Sequence, residues 1–403
     1  MKIAHISKSD RKGGGASKVA EYLTINQKSL GHHVDHFTAQ DTEGANSVYK
    51  GKKYLTHLRS KLTHYGYLDC FDIESFLFKK IVKEYNILHF HDITHSFSPA
   101  CLANLSHKAH VIWTLHDMSP VTAGCIQPFS CNRYKMGCKE CPQSGKHKWP
   151  MSFKEKYDRT GYVQNKRLKD INNSNIKLVS PSRWLRDIAK NHISRDIAVI
   201  PNGATACDDI KENDVNQLRK ELGFANDKLV ILFSSGYIHS LYKGGIHILQ
   251  IVKWFANHYP NVSFLFVGAS NAIGDHIIDG LHCHFTGSVY DDTQIRKLFC
   301  VADLMIMLSS LDNLPLTILE GMQADLAIYA YDVGGVKECV IFDDVSVGRV
   351  FKYGVIDELC VAIVEDINSG NLHTFRSNAK RKKKEFTWNI VASNYLDYYE
   401  KII

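Results

Sequence analysis

Residues 309–338 read SSLDNLPLTILEGMQADLAIYAYDVGGVKE: a carboxylate, a turn, a helix start, a second carboxylate, a buried strand and a double glycine. Asp312 and Glu320 are eight positions apart, so a mostly helical run between them would set the carboxylates about 12 Å apart along the axis. That is about the length of a nucleoside diphosphate sugar. Pro315 suits a first-turn position, where its missing N–H costs nothing. The amides of Asn313 and Leu314 are then expected to face a phosphate with the helix dipole behind them. The ligand implied carries an anion at the helix tip and hydroxyls at both ends.

The strand that follows, LAIYAYD, is one of a series. KIAHIS, HHVDHFTA, NILHFH, HVIWTLHD, IKLVSPS and IAVIPNG fill the first half, and LVILFSSG, VSFLFVGA, HCHFTGS and ADLMIMLSS precede it in the second. Short apolar strands alternating with helical patterns indicate parallel sheets covered on both faces. The expected fold is therefore α/β with two doubly wound, Rossmann-like domains. The first is expected over residues 1–202, completed by a closing helix at 386–403. A linker is expected at 203–226, in a polar stretch rich in Asn and Asp, and the second domain at 227–385.

Ligands of such sheets bind beyond the carboxyl ends of the strands. Gly13, Gly14 and Gly15 follow the first strand, where glycine lets backbone amides approach a phosphate closely. His116 and Asp117 end the strand HVIWTLHD. Lys243, before Gly244 and Gly245, offers a flexible ammonium to diphosphate oxygens. Cys125, Cys131, Cys138 and Cys141 share the polar loop GCIQPFSCNRYKMGCKECPQ; four thiolates satisfy a tetrahedral structural zinc, and free thiols are the alternative.

At 403 residues the chain exceeds one ordinary core, and 44% apolar with 23% charged residues is the composition of a globular protein rather than a disordered one. No run of 18 apolar residues occurs and no signal-peptide core opens the chain, so a cytoplasmic location is expected. Eleven cysteines, an odd count scattered through apolar stretches, suit reduced thiols. The basic run Lys380, Arg381, Lys382, Lys383 and Lys384 reads either as an attraction for anionic lipid at the inner membrane face or as a solvated helix face. It lacks interleaved aromatics, so no nucleic-acid partner is expected.

The segment 312–338 resembles the Glu-seven-Glu signature of family-four glycosyltransferases, keeping Asn313, Leu314, Pro315, Leu319, Glu320, Met322, the Asp332-Val333-Gly334-Gly335 run and Glu338. Asp312 stands at the family's first Glu, and Asp325 and Ala327 replace its usual Gly and Pro. The resemblance extends in order through the glycine loop, TLHD, SPSRWL, IPNG, the Lys-Gly pair and the closing helix, and through a cysteine-bearing loop that one branch of the family also shows. It implies the GT-B architecture, two domains facing a cleft, and transfer of a hexose from a nucleotide sugar to a glycan or lipid-linked acceptor with retention, as in bacterial surface polysaccharide assembly.

By that resemblance His116 lies near the transferred sugar, Asp312 binds the donor sugar, Glu320 the ribose and Lys243 the diphosphate, with Gly14, Gly15, Asn313 and Leu314 around the phosphates. The loop's usual Arg is missing; Tyr237 or His239 occupies its neighbourhood, and Arg183 is a candidate substitute. His89 and His91 read as acceptor-side or structural. Adjacent acids such as Asp291-Asp292 lack the Asp-any-Asp spacing of cation-dependent enzymes, so no catalytic metal is expected. Two other readings compete: a non-catalytic sugar-nucleotide-binding relative, suggested by Asp312, Asp325 and the absent Arg, and a dinucleotide-dependent oxidoreductase. GGGASK does not match the spaced glycine fingerprint of the latter.

Overall fold

The computed structural model describes residues 1–39, 46–49, 54–55, 58, 71–94, 96–143, 158–224 and 228–403. The chain divides into two compact units, Met1–Asn202 with Trp388–Ile403, and Gly203–Thr387.

In the first unit β1 (Lys2–Ser7), β2 (His33–Thr38), β3 (Asn46–Ser47), β4 (Ile87–Phe90), β5 (His110–Thr114), β6 (Lys177–Ser180) and β7 (Ile197–Val199) form a sheet in the order β3-β2-β1-β4-β5-β6-β7. All its pairings are parallel. The chain steps outward from β1 through β2 and β3, then returns on the other side of β1 as β4. That reversal opens a crevice beyond the ends of β1 and β4, where such sheets take ligands. The closing helix Trp388–Glu400 belongs to this unit: Trp388 stacks on Tyr22 of the helix Gly15–Ser29 with centroids 5.0 Å apart.

The second unit holds β8 (Leu229–Tyr237), β9 (Val262–Ala269), β10 (Gly274–Ile278), β11 (Leu281–Phe285), β12 (Leu304–Met307), β13 (Ala327–Tyr331) and β14 (Gly348–Phe351), in the order β10-β11-β9-β8-β12-β13-β14. Among these strands of the described residues, β10 with β11 is the antiparallel pair and the others pair parallel. Because side chains alternate across a strand, Val230 and Leu232 enter one core while Ile231 and Phe233 enter the other. Apolar layers on both faces explain why these strands read as unbroken apolar runs. The reversal of strand order here falls between β8 and β12.

The linker expectation is corrected. Residues 203–224 are not a free linker: they fold with the second unit and carry the helix Glu212–Glu221, which packs on the helix Asp292–Val301. The polar composition that suggested a linker is the solvent face of this helix, while Val215, Leu218 and Leu222 lie against the core. Residues 225–227, its expected end, fall outside the described ones. Within the basic run, Lys383, 6% exposed, pairs with Asp325 at 2.9 Å and Asp208 at 3.2 Å, and Arg381 and Lys382 both reach Asp344, while Lys380, Arg381 and Lys384 are exposed. Among the described residues no helix is long and apolar enough to cross a membrane.

Candidate functional site

Strands β8 and β12 flank the reversal in the second sheet, and the loops after them carry Lys243 and Asp312. Their tips meet: Lys243 Nζ donates to Asp312 Oδ2 at 2.7 Å. Four backbone contacts build that pair. The amide of Ser310 donates to the carbonyl of Tyr242 at 2.9 Å, tying the two loops just before their charged residues. Gly244 turns with φ +85° against Leu308, whose carbonyl oxygen would lie 2.6 Å from any Cβ placed there. The double glycine supports Asp312 from behind: Gly335 N–H donates to the Asp312 carbonyl at 3.0 Å. Gly334, at φ +62°, approaches so closely that a Cβ would stand 1.8 Å from the same oxygen. Only glycine permits both the left-handed turn and the contact.

Helix Leu316–Gln323 follows with Pro315 at its N-cap. The helix thus begins later than the sequence suggests, and Asp312 to Pro315 form a loop. The estimate of axial spacing between Asp312 and Glu320 does not apply for this reason. Asn313 and Leu314 are buried in the loop just before the helix, ahead of its N-cap Pro315. The helix lies flat on the sheet because Gly321 rests against Met305 of β12 and Ile328 of β13. Its apolar residues Ile318, Leu319 and Met322 turn inward, leaving Glu320 half-buried. Asp325, where the resemblance puts Gly, adopts φ +57°, a conformation Asp tolerates better than most residues, and Lys383 holds its carboxylate. Of the candidates near the missing Arg, His239 bonds Ser270 Oγ at 3.2 Å and stacks edgewise on Tyr237.

In the first unit the turn after β1 is exposed; Gly14, at φ +113°, caps the helix that Gly15 opens, and open space surrounds the position of its missing Cβ. Arg183 starts the helix Arg183–Lys190 on the surface. His116, just past β5, is half-buried and donates or accepts with His91 at 3.2 Å. The surrounding protein pushes its pKa down to about 3. Nearby, burial and then the charge of Asp117 push Asp92 up to about 6. Sequence reasoning missed the cluster of imidazoles that His116 adjoins. His5, His36 and His89 lie side by side in register on β1, β2 and β4, and His91 is two residues beyond His89. That parity was a usable signal.

The four loop cysteines do not assemble as the zinc reading requires. Among the described residues, the sets of three ligand atoms within 4.8 Å of one another are His5, His89 and His91, and Asp72, Glu74 and Cys101. Cys125, Cys138 and Cys141 instead gather around Ala123 and Val163 in a small apolar cluster. Gln164 staples the loop, its amide donating to the carbonyls of Val121 and Tyr134 at 2.7 and 2.8 Å. Burial pushes the Cys138 thiol up to about 11.

Comparison with known proteins adds to this geometry. The sequence profile described as Glycosyltransferase Family 4 matches residues 13–205, and that described as Glycosyl transferases group 1 matches residues 228–368, so that together they take in most of the chain. A lipopolysaccharide 1,2-N-acetylglucosaminetransferase of Salmonella typhimurium is 24% identical over 247 residues, which are 56% of this chain and 62% of that enzyme, less than two thirds of its length. The fold is similar to that of a sucrose-phosphate synthase from Thermosynechococcus elongatus, with TM-score 0.70 and 16% identity over 100% of this chain and 98% of that one. It is also similar to Anabaena HepE in complex with UDP-glucose, with TM-score 0.65 and 18% identity over the whole of both chains.

Proposed function

Since the chain belongs to the group 1, family-4 glycosyltransferases, we propose that it moves a hexose from a nucleoside diphosphate sugar to a hydroxyl of a glycan or lipid-linked acceptor, with retention of configuration, in bacterial surface polysaccharide or lipopolysaccharide assembly. The observation that carries this reading is the ion pair of Lys243 with Asp312, built from two loops on either side of the strand reversal. A cation and a carboxylate held together at that place suit a ligand with a diphosphate beside a hydroxylated ring: the phosphate oxygens take the ammonium, and Asp312, released, accepts from sugar hydroxyls.

Lys243 then stabilises the charge that builds on the leaving diphosphate, a preorganised electrostatic contribution of the kind that dominates such reactions. Glu320, half-buried on its helix, accepts from the ribose hydroxyls. In the first unit, His116, Gly14 and Gly15 are the candidate substrate-binding residues. The UDP-glucose bound by HepE and the lipopolysaccharide in the name of the Salmonella relative support the donor and acceptor classes.

Calorimetry with a panel of nucleotide sugars, followed by product detection on lipid-linked acceptors, tests the reading. Glu320→Gln is expected to lower turnover at least about tenfold, the loss of one charged hydrogen bond, without changing the fold. Undiminished turnover in that variant on the true substrate pair contradicts the role of Glu320.

A further inference from the structure

A row of buried imidazoles runs through the first unit. The side-chain oxygen of Gln27 lies 2.9 Å from His5 Nε2; His5 Nδ1 lies 3.0 Å from His91 Nε2; His91 Nδ1 lies 3.2 Å from His116 Nε2. Gln27 and His5 are 0% exposed and His91 2%, whereas His116 reaches partial exposure, so the row leads outward from the core. Its polarity follows from elementary chemistry. With the Gln27 amide oriented so that its oxygen faces His5, that oxygen only accepts and His5 Nε2 bears a proton. A neutral imidazole has one proton, so His5 Nδ1 accepts and His91 Nε2 donates to it. By the same step His91 Nδ1 accepts and His116 Nε2 donates.

Neutrality is enforced by burial, which pushes His5 down to about 3 and holds His91 well below its ordinary value. His89 stands outside the row, its nitrogens 2.6 Å from the Tyr399 hydroxyl and 2.7 Å from Thr114 Oγ1. The closeness of the nitrogens of His5, His89 and His91 is thus accounted for by hydrogen bonds.

We infer that Gln27, His5 and His91 are positioning residues that fix the tautomer of His116, placing its proton on Nε2 and making Nδ1 its accepting nitrogen. The tautomer stands apart from the glycosyltransferase reading; its effect on turnover rests on that reading.

Two-bond nitrogen–proton correlation spectra of the full chain labelled with 15N-histidine test the inference at neutral pH. They are expected to show His116 with a protonated Nε2 and a bare Nδ1. His91→Gln, whose amide supplies one donor and one acceptor, is expected to keep that tautomer and most of the activity. His91→Leu is expected to give mixed tautomers and a roughly tenfold lower kcat/KM for the donor. A proton on Nδ1 in the unaltered protein overturns the inference whether or not the variants fold, and so does a His116 signal unchanged in a folded His91→Leu. An intact tautomer in a chain that transfers no sugar from any donor overturns the functional reading instead.

Discussion

Replacing Gly334 by alanine tests how Asp312 is held. The new Cβ would stand 1.8 Å from the Asp312 carbonyl oxygen, while contacts below 3.0 Å are not sustained by real Cβ atoms, so the two backbones must part by about 1.2 Å. The left-handed conformation at φ +62° adds about 1–2 kcal/mol for a residue with a side chain. Parting the loops also strains the 3.0 Å bond from Gly335 N–H to the same carbonyl, which contributes about 1 kcal/mol. Together these come to roughly 2–3 kcal/mol, or a fall in Tm of about 4–12 °C for a unit of this size. A misplacement near 1 Å at a reacting group costs about a hundredfold in rate.

The control is Gly354→Ala. Gly354 has φ +86° with nothing within 4 Å of its missing Cβ, so it bears the conformational cost without the collision. Scanning calorimetry and initial rates with the true donor should then separate the two: both variants lose some stability, but only Gly334→Ala loses turnover by one to two orders of magnitude. Equal stability and equal rates in the two variants would refute the claim that the double glycine positions Asp312.

The first unit is expected to be acid-labile. Burial lowers His5, His89 and His91 below their unfolded value of 6.5, so between that value and their folded pKa the unfolded chain binds more protons and stability falls as pH falls. Each such imidazole contributes a slope of about 1.4 kcal/mol per pH unit below 6.5 and nothing above it. Urea titrations from pH 8 to pH 4.5 check this, and a midpoint that stays flat through that range contradicts it. Lys383→Met should cost about 1.5–3 kcal/mol through loss of charged hydrogen bonds to Asp325 and to the Gln323 carbonyl. Anionic vesicle binding should remain unchanged in that variant; a large loss would return this lysine to a membrane role.

The sheets were legible because a strand buried on both faces must be apolar throughout, as LMIM and AIYAY of β12 and β13 are. The edge strand β10, GDHII, was not, because it is largely exposed and its residues carry no burial signal. β14 begins with Gly348, which turn chemistry explains as well as a strand does; the actual reason is contact, since a Cβ there would meet the Ile328 oxygen at 1.7 Å. Within the site, Lys243 and Asp312 could each be singled out as residues following a strand. Their pairing could not, because nothing local links residues 69 positions apart. It follows from which strands are neighbours, and that order is set by the global fold. The start of this helix was misjudged for a local reason: Pro315 is compatible with both the N-cap and the first turn, and only its extended ψ of 124° in the folded chain separates the two.

The central claim is that the Lys243 loop holds a donor diphosphate. Calorimetric titration of UDP into the full chain and into Lys243→Met addresses it directly, because the ion pair is partly exposed and contributes at most about 1 kcal/mol to folding. The account predicts that the variant keeps the parent's Tm to within a few degrees while binding UDP at least about tenfold more weakly, the loss of one charged contact. Equal affinity for UDP in the two proteins would contradict it.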